Sequence, residues 1–460
     1  IDMSIKKNKK WYHSPIILTI ISLLGGAILS FIPAYYFTIR AERVEYGKIE
    51  NAIIVAEDFL SQGMAGEALG KYEEILTNIS RDIKPEFYAR VKRGEGLAYY
   101  NLAAKADQEN NLKKSISSYL ESLEIYTMNK FPHEYARTQG YLSNAYLSMS
   151  EIRDKQGNLT RAIQSNLKAL KVYDIKLYPM DYGKTKLNLG IDYECLSKID
   201  STQNYLDNAL NCYNEAVKIF NEDKYPFENA TIKLNIANAW HGYFENDNNP
   251  KHLKKAISFS EEALKVFTIE SFPADYSTIQ LNIGLYYESL ATVENKKENL
   301  SKAFEAYNNA LIIFTKENYP YEYASINANL ASVYMKFSEF ENEPENLQKS
   351  QFCFQEALNI FTIESYPIDF ALTQTSFGDY YMIYSKSLHS ESDNEKLMSL
   401  ENAVSSYMDA LKVFTEENYP EDYSYVQGKL ADAYLELSEF KDREENLKKA
   451  DEASIEASKY

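Results

Sequence analysis

The sequence predicts an all-α protein: an α-α superhelical solenoid of about nine helix pairs over residues 44–460, preceded by a single transmembrane helix. Three observations predict it. Prolines recur every 47 residues, at Pro85, Pro132, Pro179, Pro226, Pro273, Pro320 and Pro367, with Pro420 following at 53. Between successive prolines, apolar and small residues fall twice into helical spacing. Near the N-terminus, residues 16–39 (IILTIISLLGGAILSFIPAYYFTI) carry no charge.

The uncharged run predicts the transmembrane helix. As a helix it spans about 36 Å, against a hydrocarbon core of about 30 Å. Trp11 and Tyr12 before it, and Tyr35 and Tyr36 in its last turns, suit the headgroup level. No small-x-small cleavage site follows, so an uncleaved anchor is expected rather than a signal peptide. Residues 1–15 form a short basic tail with Lys6, Lys7, Lys9 and Lys10, whereas Arg40, Arg43 and Lys48 follow the span among acids. That bias places the tail in the cytoplasm and the repeat domain outside, in a single-pass membrane protein.

Each repeat predicts two helices. In the first, an aromatic stands three after the proline (Tyr88, Tyr135, Tyr182, Tyr276, Tyr323, Phe370, Tyr423). A small residue stands eleven after it (Gly96, Ser143, Gly190, Ala237, Gly284, Ala331, Gly378, Ala431), and an aromatic fourteen after it, as at Tyr99, Tyr146 and Trp240. These offsets share one helical face. The second helix is expected to open at a leucine (Leu112, Leu159, Leu206, Leu253, Leu300, Leu347, Leu400, Leu447) and to close its stripe on an aromatic between Tyr126 and Phe414. Small residues facing large ones let two helices interlock. Acids two after the prolines, such as Glu134 and Asp275, suit a helix N-terminus. Ala68 and Tyr72 mark an earlier, degenerate pair, and the six extra residues of the 53-residue unit are expected in the loop 389–396.

Composition narrows the function. Net charge is −18, which disfavours nucleic acid, because phosphate binding needs clustered Lys and Arg. The three cysteines form no zinc or disulfide framework. Four N-x-S/T sequons, at Asn78, Asn158, Asn229 and Asn299, decide nothing by themselves. There is no GxxxxGK[ST], GxSxG or HExxH, and the five histidines are scattered. No enzyme, cofactor or metal site is expected.

Ile283, Gly284 and Tyr287 of one helix, with Ala303, Tyr307 and Ala310 of the next, make residues 44–460 resemble the tetratricopeptide repeat. Two departures stand out. Lys233, Gln280 and Asn327 replace that family's early Trp, and the unit is 13 residues longer than its usual 34. HEAT-type repeats are the rival at this length. The resemblance implies a concave groove lined by one side of each first helix, including the positions five and nine after the proline. There stand Arg90, Arg137 and Lys184, and Asn188, Asn235, Asn282 and Asn329. Such a groove would use the cations on a carboxylate and the amides on an extended backbone. The competing reading of the Asn column is a ladder of hydrogen bonds within the solenoid. The function expected is therefore a membrane-anchored scaffold that binds a protein or peptide partner. A regulatory or sensor subunit of a membrane complex, acting through the anchor, is the alternative.

Overall fold

The computed structural model describes residues 44–200, 204–341, 343–388 and 393–459. All regular structure among them is helical. The first helix, α1, is described over 44–61. It is followed by α2 (Ala65–Leu76), α3 (Pro85–Ala103), α4 (Gln108–Leu123), α5 (Pro132–Ser150), α6 (Lys155–Leu170) and α7 (Pro179–Ser197). Then come α8 (Tyr205–Ile219), α9 (Pro226–Asp247), α10 (Pro250–Ala263), α11 (Pro273–Ala291), α12 (Lys296–Leu311) and α13 (Pro320–Phe337). The chain continues through α14 (Glu343–Leu358), α15 (Pro367–Ser387), α16 (Asp393–Ala410), α17 (Pro420–Leu437) and α18 (Arg443–Ala457). These described helices fall into two compact units that divide between Ile199 and Asp200, α1–α7 in the first and α8–α18 in the second. Within each unit a helix packs on its sequence neighbours and, more lightly, on the helix two further along.

The transmembrane helix expected at 16–39 and the tail at 1–15 lie outside the described residues. Among those that are described, no helix is long and apolar enough to cross a membrane. Even the 22-residue α9 carries Glu228, Lys233, Glu245 and Asp247, because a repeat helix needs an apolar stripe and not an apolar circumference. The predicted fold class is corrected to an all-α helical-repeat solenoid without a membrane span among its described helices.

The prolines begin first helices as expected, at a position where the missing N–H costs nothing. Second helices begin earlier than expected. α4, α6, α12, α14 and α18 each start four residues before the leucine taken as their opening. The reason lies in the turn. Asp107, Asp154, Asn295 and Asp442 adopt positive φ of 42–46°, a region Asn and Asp tolerate, and they reverse the chain ahead of a polar first turn. An Asn just before the leucine then locks the corner. Asn111, Asn158, Asn299, Asn346 and Asn446 donate through Nδ2 to the carbonyl five residues back at 2.6–2.7 Å. Of the expected loop 389–396, residues 389–392 lie outside the described residues, and α16 already begins at Asp393.

The small-against-large pairing holds. A β-carbon on Gly284 would meet the Tyr307 ring, and Gly96 and Gly378 stand in the same way under Tyr119 and Tyr407. Where the small residue is Ala331, it shares one buried cluster with Phe354, and Ser350 donates to the Ala331 carbonyl at 2.8 Å. The closing aromatics lie just past the second helix, each against the aromatic preceding the next proline. The pairs Tyr126–Phe131, Tyr173–Tyr178, Phe220–Tyr225, Phe267–Phe272, Phe314–Tyr319, Phe361–Tyr366 and Phe414–Tyr419 have ring centroids 5.0–5.8 Å apart. Edge-on and tilted geometries of this kind suit the ring quadrupoles.

Candidate functional site

Three helices of the first unit converge on one cavity of about 700 Å³. α3 contributes Arg90, Arg93, Gly94 and Leu97, spaced by three, one and three residues and so on one face. α5 contributes Glu134, Arg137 and Tyr141 by the same logic, and α1 contributes Glu50, Glu57 and Leu60. The seam pair Tyr126–Phe131 closes one side, and Tyr72 of α2 stands behind Gly94.

Most charge in this cavity is matched internally. Arg90 forks onto Glu57, with Nε to Oε1 at 2.8 Å and Nη2 to Oε2 at 2.6 Å, while Nη1 donates to Glu50 at 2.6 Å. Those bonds, Glu57 first, raise the Arg90 pKa above its ordinary value although burial opposes them. Arg93 pairs with Glu134 and lies 5.4 Å over the Tyr126 ring. Burial pushes the Glu134 carboxyl up, but the Arg93 hydrogen bond and the Arg93 and Arg137 charges outweigh it and hold the group below its usual range. Arg137 differs: it is exposed and makes no ion pair among the described residues, though its side chain hydrogen-bonds Tyr141 and feels the Glu134 charge. One further group is unmatched. The Tyr72 hydroxyl is fully buried without a hydrogen-bond partner.

Of the seven residues expected in a groove, Arg90 and Arg137 meet in this cavity. Arg90 is already occupied by two carboxylates. Lys184, exposed on α7, does not line it. The Asn column divides. Asn188 donates to Asn144 Oδ1 at 3.2 Å, which is the ladder behaviour. Asn235 turns back onto the Thr231 carbonyl of its own helix at 3.0 Å. Asn282 and Asn329 are half-buried, and their amides make no hydrogen bond among the described residues.

Tyr72, Arg93 and Gly94 were not anticipated as site residues. A signal for them existed in the column itself. Nine after the proline, where four units place Asn, the first unit has Gly94 and the second Tyr141. The missing side chain at Gly94 makes room for the Tyr72 ring, whose oxygen a β-carbon there would meet at 2.3 Å. Elsewhere, no cluster of His, Cys, Asp or Glu suited to a metal is found among the described residues.

No protein-family model matches the chain, and no curated protein matches it. Solved structures do. The apo form of RapI is similar at 14% identity, over 89% of this chain and 96% of that one, with a TM-score of 0.52. The Rap conjugation gene regulator of the plasmid pLS20, in complex with the Phr* peptide, is similar at 13% identity over 80% and 96%, with a TM-score of 0.34. The human IFIT1 dimer with PPP-AAAA is similar at 14% over 87% and 88%, with a TM-score of 0.33. The first likeness is one of fold, and the architecture is that of a tetratricopeptide-like helical-repeat protein.

Proposed function

We propose that this chain is a long-repeat member of the tetratricopeptide class that works as a binding scaffold and not as an enzyme, and that a protein or peptide segment docks in the cavity of the first unit. One observation carries the reading. The cavity neutralises Arg90 and Arg93 with its own carboxylates, whereas Arg137 stands exposed at its edge in no ion pair, hydrogen-bonded to the Tyr141 side chain and near the Glu134 charge. A guanidinium left in that state is a ready partner for a carboxylate or a backbone carbonyl. Leu60, Phe87, Leu97 and Phe131 supply apolar wall for a neighbouring side chain. Asn282 and Asn329, whose amides are free, are proposed as backbone contacts in the second unit. Asn188 and Asn235, whose amides are engaged, are kept only as structural residues, and Lys184 as a peripheral cation.

Selection of displayed random peptides on the purified protein tests this. Enriched peptides are expected to lose at least tenfold in affinity on Arg137→Gln, a charged hydrogen bond being worth about 1.5–3 kcal/mol, with the protein still folded by circular dichroism. Absence of enrichment, or enriched peptides indifferent to Arg137→Gln, would overturn it.

A further inference from the structure

Arg93 breaks the pattern of its own position. Eight after the proline the other units carry uncharged residues, as at Gly140, Leu187, Leu234 and Ala328. In the first unit the same position holds a guanidinium that is only 11% exposed and lies 5.4 Å over the Tyr126 ring. A cation withdrawn from water to that degree needs a carboxylate beside it, and Glu134 of α5 supplies one. Acids two after the proline recur in other units as helix-start residues; what sets Glu134 apart is the arginine it meets. The two halves of the pair are not equally held. Arg93 is enclosed, whereas the Glu134 side chain is 33% exposed and has solvent to turn into.

Two guanidiniums act on this one carboxylate, Arg93 by hydrogen bond and charge and Arg137 by charge. His133 Nδ1 stands 3.8 Å from its Oε1 as well. Arg90 takes no part, being held by Glu50 and Glu57. The whole lining carries Arg90, Arg93 and Arg137 against Glu50, Glu57, Glu86 and Glu134, three cations to four acids. An acid arriving while Glu134 is seated therefore meets a net charge of −1 and an Arg93 already engaged. With Glu134 turned out to solvent, three cations face three acids, and Arg93 takes the newcomer as it took Glu134.

We infer that Glu134 is the resident occupant of a carboxylate subsite formed by Arg93 and Arg137, an autoinhibitory contact that a ligand's carboxylate displaces. The inference rests on the reading of this cavity as a ligand site. It adds which chemical group enters, and that the chain's own acid competes with it.

Saturation-transfer NMR titrations of the full chain with N-acetylleucine and N-acetylleucinamide test it. The two probes differ only in the carboxylate, and their side chain suits the apolar wall of Leu60, Leu97 and Phe131. Glu134→Gln keeps the shape of the side chain and removes its charge. It should tighten N-acetylleucine about tenfold and leave the amide unchanged. Added N-acetylleucine should also raise the melting temperature of Glu134→Gln more than that of the wild type, because it gives Arg93 the partner it lacks. The double variant Arg93→Leu/Glu134→Gln restores the residue of other units, dispenses with the enclosed cation and should lose the gain. Glu134→Asp, which withdraws the charge by one methylene, should tighten N-acetylleucine in the same direction and serves if the Gln variant does not fold. N-acetylleucine unchanged or weakened by these Glu134 variants, or a gain that survives Arg93→Leu, overturns the inference. If that happens while displayed peptides still depend on Arg137, the autoinhibitory contact falls and the peptide reading stands. If no peptide enriches and N-acetylleucine binds no variant, both fall.

Discussion

A β-carbon on Gly284 would stand 2.4 Å from Cε1 of Tyr307. The ring has nowhere to go, being fully buried and tethered through its hydroxyl to Glu288 Oε2 at 2.9 Å. Gly284→Ala should therefore destabilise the protein by about 1–3 kcal/mol through overpacking, even though alanine favours a helix over glycine by about 1 kcal/mol. Urea unfolding reads the difference, and a variant as stable as the wild type would mean that helices α11 and α12 part without cost.

Asp192 of α7 is 1% exposed and accepts from Asn166 Nδ2 at 2.8 Å and Ser143 Oγ at 3.3 Å. Burial pushes its carboxyl from the ordinary 3.8 up to about 7, the two hydrogen bonds pulling the other way. Between those values the folded chain keeps a proton that the unfolded chain releases. This group's effect on stability is therefore neutral below about pH 4. It becomes increasingly unfavourable as pH rises to about 7 and is level above that, for a total on the order of a few kcal/mol. Asp192→Asn should remove that dependence, matching the wild type at pH 4 and exceeding it at pH 8. Asn166 Oδ1, buried without a partner, is an acceptor for the new amide. Parallel pH slopes for the two proteins would contradict this.

The corner lock makes a separate prediction. Asn299 donates to the Glu294 carbonyl at 2.7 Å and is 4% exposed. Asn299→Ala should cost about 1–2 kcal/mol, since it leaves that carbonyl without its partner. The same burial at Asn158 and Asn229 means that these sequons should stay unmodified on the folded protein, which intact mass after expression in a glycosylating host would check.

Arg90 and Arg137 should separate cleanly. Arg90→Gln leaves Glu50 and Glu57 facing each other unpaired, and should lower stability by about 1 kcal/mol, the pair being partly exposed and screened. Added salt should shrink that difference. Arg137→Gln gives up only a hydrogen bond to Tyr141 and its charge near Glu134, and should lower stability less than Arg90→Gln does.

The repeat was readable because its signals are local and recur. Pro273, Gly284 and Tyr307 each state a packing requirement that other units repeat, so the pairing of α11 with α12 follows from the letters. The helix starts were harder. Leu300 marks where apolar contact begins, but the turn is set by Asn295 and by the backbone bond of Asn299, neither of which carries an apolar signal. The membrane span was inferred from a run that none of the described helices contains. In the site, position five after the proline pointed to Arg90 and Arg137, which both line the cavity. It was silent on which of them is ion-paired, because that depends on Glu50 and Glu57, 40 and 33 residues earlier in the chain. The Asn column looked uniform in sequence, yet Asn188 reaches sideways and Asn235 turns back, a choice made by neighbours at Asn144 and Thr231.

The seam pairs carry a consequence for how this chain changes over time. Phe267 and Phe272 lie five residues apart, so each corner is completed by its own short stretch of chain. The longer ties are also bounded: Arg90 to Glu57 crosses 33 residues and Asn188 to Asn144 crosses 44. A whole 47-residue block begun at one proline and ended at the next therefore brings every partner it needs except those of its two neighbours, which are built to the same plan. Gain or loss of such a block by recombination is a change of length that preserves register. The cavity is the exception, because Gly94 and its charged neighbours occur once, and a copy number change that removed the unit from Pro85 would erase the site while sparing the fold.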